Sequence, residues 1–145
     1  MKNIEIQKTL NSFELIKSMK LGGKLSLLVA KNIKRLKDAN DTYNEAREIL
    51  AKQYCKRDES GNPILVNGSM YQFDAENTAV VNKEFTALME SESGVSLEFI
   101  DVEPLIEQFS DITPEQVEAL LLMQTKTEIQ EEIKIKDESK KDTDK

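Results

Sequence analysis

The sequence predicts an α+β domain dominated by helix, with a long helix over 24–54 paired to a shorter one before it. A small antiparallel sheet and a C-terminal helix complete the expected fold. Three observations carry this. Val29, Ile33, Leu36, Asn40, Tyr43, Arg47, Leu50 and Tyr54 recur at alternating spacings of four and three, which is a heptad seam. Asn67-Gly68 lies between two apolar runs, and both residues tolerate the positive φ of a tight hairpin turn. Thr113-Pro114-Glu115-Gln116 has the residue types of a helix start, with a capping hydroxyl, proline at the first helical position and a reciprocal Gln.

In chain order, residues 4–20 suggest a first amphipathic helix with Leu10, Phe13 and Ile16 on its inner face. A break is expected near Asn11-Ser12, because the Ser12 hydroxyl can cap a turn beginning at Phe13. Gly22-Gly23 then ends the pattern, glycine readily supplying a left-handed turn. The long helix follows, and at about 1.5 Å per residue it spans roughly 46 Å. A domain this small leaves part of such a rod to be covered by the C-terminal helix, another copy or a partner. Asp58-Glu59-Ser60-Gly61-Asn62-Pro63 is a dense turn signal.

With Asn67 and Gly68 as a two-residue loop, Val66 pairs with Ser69 and Ile64 with Tyr71. That places Ile64, Val66, Tyr71 and Phe73 on one face, and Leu65 and Met70 on the other. Residues 78–91 read as a further helix with Val81, Phe85, Leu88 and Met89 on one side. Val95, Leu97 and Phe99 alternate with polar residues and predict a third strand beside the hairpin. The last helix, with Val117, Leu120, Leu121 and Met123 apolar, is expected to fade near Ile133. One domain over 1–133 and a charged flexible tail over 134–145 follow from this reading.

Composition narrows function by exclusion. The chain of 145 residues is 39% hydrophobic and 32% charged, with no histidine and no tryptophan. Absence of histidine removes Ser-His and Cys-His nucleophile pairs and the commonest zinc ligand. It leaves carboxylate chemistry open. The single Cys55 cannot form an internal disulfide and reads as a small buried hydrophobe. No run approaches the roughly 20 apolar residues that cross a bilayer, and Met1-Lys2-Asn3-Ile4-Glu5 has no signal-peptide pattern.

The net charge of −7 is unevenly spread. Residues 1–56 carry 12 basic and 6 acidic side chains, whereas residues 57–133 carry 3 basic and 17 acidic. Either the two regions attract within one molecule, or the basic part of one copy faces the acidic part of the next.

Several motifs dissolve on inspection. Gly22-Gly23-Lys24 lacks the earlier glycine, the following Ser or Thr, and the preceding strand of a phosphate loop. Asp58-Glu59-Ser60-Gly61-Asn62 lacks calcium-loop spacing. Lys31, Lys34, Arg35 and Lys37 form a basic cluster, but no aromatic residues interleave with it, which disfavours nucleic acid. Glu90, Glu92, Glu98, Asp101 and Glu103 are scattered and read as surface charge. Asn40-Asp41-Thr42 and Asn67-Gly68-Ser69 match the glycosylation pattern but lack a secretion signal to give it meaning.

One resemblance emerges from the order of these pieces. Leu27-Leu28-Val29-Ala30-Lys31-Asn32-Ile33, Tyr43, Glu45, Arg47, Leu50, Tyr54, Asp58-Glu59 and Gly61-Asn62 are similar to residues of a group of small uncharacterised tailed-phage proteins. The likeness continues through Asn82-Lys83-Glu84-Phe85, Leu88-Met89 and Leu105-Ile106, covering roughly residues 20–123. It implies a phage product, often encoded near virion or late genes, and supplies no catalytic residues. The joint expectation is a non-enzymatic phage structural or virion-associated protein, without cofactor, metal or small-molecule substrate. Its partners would be other copies of itself and other virion proteins, and it would reside in the virion, or in the host cytoplasm before assembly. The expected contact surface is the seam itself: Val29, Ile33, Leu36, Asn40, Tyr43, Arg47, Leu50 and Tyr54. The alternative is a soluble phage protein that inhibits a host protein through an acidic surface centred on residues 90–118.

Overall fold

The computed structural model describes residues 1–125, so the expected helix beyond Thr125 and the tail over 134–145 lie outside the described residues. Helix α1 (Asn3–Ile16) begins where the Lys2 backbone N–H donates to the Glu5 carboxylate at 2.8 Å. It buries Ile6, Leu10, Phe13 and Ile16 along one side. The break expected at Asn11-Ser12 is absent. The Ser12 hydroxyl donates to the Lys8 carbonyl one turn back, at 3.1 Å, rather than capping a new turn. Burial of Phe13 and Ile16 continues the same face and outweighs the local capping preference.

Helix α2 (Gly23–Tyr54) starts after Gly22, whose φ of 76° lies in the left-handed region. Its 32 residues span about 48 Å. The first half lies on α1 and contributes Leu25, Val29, Ile33 and Leu36 to the core. The helix ends with its last carbonyls satisfied: Lys52 O accepts from the Arg57 guanidinium at 2.9 Å and from the Cys55 thiol at 3.5 Å. Cys55 is buried, as a small hydrophobe should be. Asp58 then closes the turn by accepting from the Ser60 and Asn62 amides through one oxygen, 2.9 Å each.

The hairpin forms, but one residue out of the expected register. Strands β1 (Leu65–Val66) and β2 (Met70–Tyr71) pair Leu65 with Tyr71 and Val66 with Met70. Asn67 and Gly68 adopt φ of 53° and 75°, and the Ser69 N–H closes the turn on the Val66 carbonyl at 3.3 Å. Ser69 therefore occupies an extra loop position, and the one-residue slip exchanges faces. Leu65 now shares a face with Tyr71, and Val66 with Met70.

Helix α3 (Ala75–Glu90) runs against the second half of α2 in the opposite direction. Asn77 reaches the Tyr54 carbonyl at one end, and Phe85 meets Arg47 further along. The chain start straps onto the far end of α3. The Asn3 N–H donates to Ser91 O at 3.0 Å, the Ser93 N–H to Met1 O at 3.0 Å, and Lys2 Nζ to Glu90 at 2.6 Å.

The third strand expected over 95–99 does not form, and among the described residues the sheet has two strands. Val95 and Leu97 are half-buried as the alternation implies, whereas Phe99 is 45% exposed. The backbone of this segment finds its partner in a side chain. Asn32, fully buried on α2, donates Nδ2–H to the Glu98 carbonyl at 3.0 Å and accepts the Glu98 N–H through Oδ1 at 2.8 Å. One amide side chain thus stands in for a neighbouring strand.

A short helix α4 (Glu103–Ile106) leads to α5 (Pro114–Leu121). The capping box at its start forms as expected. Thr113 Oγ1 accepts from the Gln116 N–H at 3.2 Å, and Gln116 Oε1 accepts from the Thr113 N–H at 3.0 Å. Thr113→Ala is expected to cost about 1 kcal/mol, lowering the thermal midpoint by about 3 °C in calorimetry. The helix stops at Leu121 rather than continuing. Met123 and Thr125 instead bracket Ile100, with Ile100 N–H donating to Met123 O at 2.8 Å and Thr125 N–H to Ile100 O at 3.2 Å. Leu120 and Met123 enter the core, whereas Leu121, expected to be apolar-facing, is 46% exposed.

Candidate functional site

The seam divides into two unlike halves. Val29, Ile33 and Leu36 are at most 6% exposed, because α1 covers them within the same chain. These three residues are core, not a free surface. The spacing identified correctly that a helix lies along α2, but periodicity carries no information about which chain supplies that helix. Asn40, Tyr43, Leu50 and Tyr54 are half-buried, and Arg47 is exposed. The Arg47 guanidinium sits 5.7 Å from the Tyr43 ring centroid and 5.9 Å from that of Phe85, so it covers both rings by cation–π contact.

The molecule is consequently polarised. Around α1, the first half of α2 and α5 the core is continuous. At the opposite end, built from the second half of α2, α3 and the hairpin, the buried apolar residues among those described are Ala51, Cys55 and Val81. Large apolar side chains stay in solvent there: Met70 is 68% exposed and Ile49 58%, and Leu65, Val66 and Val80 are also exposed.

Two shallow grooves flank the α2–α3 pair at this end. One, of about 410 Å³, is lined by Ala46, Ile49, Leu50, Gln53, Glu84, Ala87 and Leu88. The other, of about 310 Å³, runs under the hairpin beside Arg47, Ala51, Met70, Tyr71, Phe73 and Phe85. A larger cleft of about 710 Å³ lies between the end of α1 and residues 105–116, lined by Met19, Leu21, Leu105, Phe109 and Ile112 among others. Among the described residues no group of three Cys, Asp or Glu side chains is placed to hold a metal ion.

Much of the charge asymmetry is used internally. Glu98 takes Arg35 at 3.0 Å and Lys31 at 3.9 Å, and Arg35 also donates to the Ser96 carbonyl at 3.0 Å. Lys37 meets Glu14 at 3.6 Å, and the Met1 amino group meets Glu92 at 2.8 Å. Lys31 and Arg35 of the basic cluster therefore face Glu98 in one molecule, whereas Lys34 pairs with Asp38 on its own helix and Lys2 takes Glu90. Each such half-exposed pair is weak.

The pKa shifts follow these contacts. The hydrogen bond from Lys52 lowers the Glu48 carboxyl below its usual 4.5, helped by the Tyr71 hydroxyl at 3.3 Å. Lys17 does the same for Glu14. The hydrogen bond to Glu90 raises Lys2 above 10.5. Glu14 and Glu48 thus add stability above pH 4.5 that is lost as pH falls through their lowered values. The Lys2 contribution runs the other way. It is present below pH 10.5 and lost as pH rises through its raised value.

Sequence reasoning missed Asn32, whose amide pattern has no periodic signature, and the exposed Leu27 and Ile49 on the outer side of α2. Both apolar residues interrupt an otherwise charged face, which is a legible signal once the inner face is assigned. No helix among the described residues is long and apolar enough to cross a membrane. No protein-family model, curated protein or solved structure matches this chain.

Proposed function

We propose that this chain is a non-enzymatic structural or virion-associated protein of a tailed phage, acting through helix-mediated contacts in a multi-copy assembly. The observation that carries the reading is the thinly packed end of the molecule. There Ile49, Met70, Val66 and Leu65 stay in water beside grooves formed by α2, α3 and the hairpin. Exposed apolar side chains beside a groove over a thin core offer a contact surface, although Ile4, Leu15 and Leu122 are also exposed on the rest of the molecule. The absence of histidine from the sequence supports the same reading, and the assignment to a phage rests on the resemblance read from the motifs of residues 20–123.

Quantitative mass spectrometry of purified particles of the encoding phage tests this. The chain should be present in several copies per particle. Absence from particles, together with a strictly monomeric state at tens of micromolar, overturns the proposal.

A second reading is favoured by a different observation. Asp101, Glu103, Glu107, Asp111, Glu115 and Glu118 are all exposed, and none has an ion-pair partner among the described residues. Residues 84–125 hold no Lys or Arg at all. Such a face suits a basic site on a host protein. Stoichiometric capture of one host protein by the wild-type chain, lost when these carboxylates become amides, would favour inhibition over assembly.

A further inference from the structure

The inner side of α2 is committed to the fold, whereas its outer side is exposed, with Lys31 also reaching Glu98 of its own chain at 3.9 Å. Leu27, Lys31, Lys34, Asp38, Asp41, Glu45 and Ile49 follow one another at spacings of three and four and are all exposed. They form one straight row on the side opposite Val29, Ile33 and Leu36. The row begins and ends on a large apolar residue, and Leu27 and Ile49 are each 58% exposed. Between them the charge changes sign once, from lysines in the first part to carboxylates in the second.

This order is self-complementary when reversed. Leu27 lies 11 residues before Asp38 and Ile49 lies 11 after it. Lys31 lies seven before and Glu45 seven after, while Lys34 and Asp41 lie four before and three after. A second copy of α2, laid antiparallel with a two-fold axis at Asp38, therefore sets Leu27 against Ile49 and each lysine against a carboxylate. A parallel copy would set Lys31 on Lys31 and Glu45 on Glu45. The axis itself brings two Asp38 carboxylates together, each already held by its own Lys34 at 2.8 Å.

We propose that two copies of this chain associate through the outer faces of α2, antiparallel about Asp38. This rests on the multi-copy reading above and names the partner for one of its contacts. The same patch serves both molecules, as a two-fold interface requires. Charges flanking a helix seam set which copy pairs and in which direction. The contact line from Leu27 to Ile49 is about 33 Å long. One helix pair of that length falls short of the roughly 1,600 Å² of a standard stable interface, so the dimer is weak. Its charges are solvent-exposed, so salt weakens it further.

Sedimentation velocity on the full chain tests the pairing. At about 0.2 mM in low salt the wild type should show a reversible dimer, weakened about tenfold in high salt. Lys31→Glu with Lys34→Glu makes the row wholly acidic, and Asp41→Lys with Glu45→Lys makes it basic on both sides of Asp38. Each double variant should be monomeric under the same conditions and retain wild-type circular dichroism, since all four side chains are exposed. An equimolar mixture of the two should dimerise about as tightly as wild type, because the four flanking pairs are again of opposite charge.

A wild-type monomer at this concentration, a double variant that dimerises as wild type does, or a mixture that stays monomeric overturns the pairing. Any of these results, alongside detection of the chain in purified particles, sinks this interface while leaving the assembly reading intact.

Discussion

Phe13→Ala is expected to cost about 3–5 kcal/mol, read as a lower urea midpoint with an unchanged slope. Phe13 is completely buried among Ile6, Leu10 and Ile16 of its own helix and the residues α2 and α5 bring to the core. Removing the ring deletes its transfer free energy and leaves a cavity between helices that cannot close up without moving α1 along α2. Total stability for a domain of this size is about 5–15 kcal/mol, so the variant sits close to unfolding at moderate temperature. A cost under about 1 kcal/mol would mean that α1 does not pack as described.

Asn32→Ala is expected to cost about 2–4 kcal/mol by the same measurement. The loss here is polar. The Glu98 N–H and C=O both lose their partner, and each unsatisfied group costs about 1–3 kcal/mol, less where water can enter. Asn32→Leu, which keeps the volume, should be nearly as damaging, and that equivalence separates a lost hydrogen-bond pair from a lost packing contact. The segment over 95–100 should become the first site of proteolytic cleavage in both variants, because Asn32 is its principal tie to α2. Arg35, which holds Ser96 and Glu98 from the surface, supplies only a weaker second tie.

Asn32 also shows where sequence reasoning stops. Alternation over 95–99 was a true signal of an extended segment with Val95 and Leu97 turned inward. Alternation does not say what bonds the backbone, and a side-chain amide can do so as well as a strand. The hairpin turn was legible from Asn67-Gly68 because both residues accept positive φ, but the extra loop place taken by Ser69 has no comparable residue signature. The capping box at Thr113 was legible because its two hydrogen bonds are local. The stop at Leu121 was not, since it depends on Ile100, more than twenty residues away, drawing Met123 and Thr125 into its own hydrogen bonds.

The candidate site follows the same rule. The length of α2 and its heptad spacing were read from the sequence almost to the residue. Assignment of Val29, Ile33 and Leu36 to a contact between molecules failed, because α1 supplies the missing helix from within. Pairing of the basic first third of the chain with its own acidic remainder was one of two readings that composition left open. Contacts such as Arg35 with Glu98 and Lys2 with Glu90 favour the intramolecular one.

Thiol accessibility at single introduced cysteines, in a Cys55→Ser background, tests the division of α2 most directly. Cysteine at position 33 should stay unreactive at every protein concentration, whereas cysteine at position 27 should react freely in dilute solution and slow as the protein is concentrated. Position 33 becoming reactive on dilution would mean that another molecule, not α1, shelters the seam, and would contradict the account.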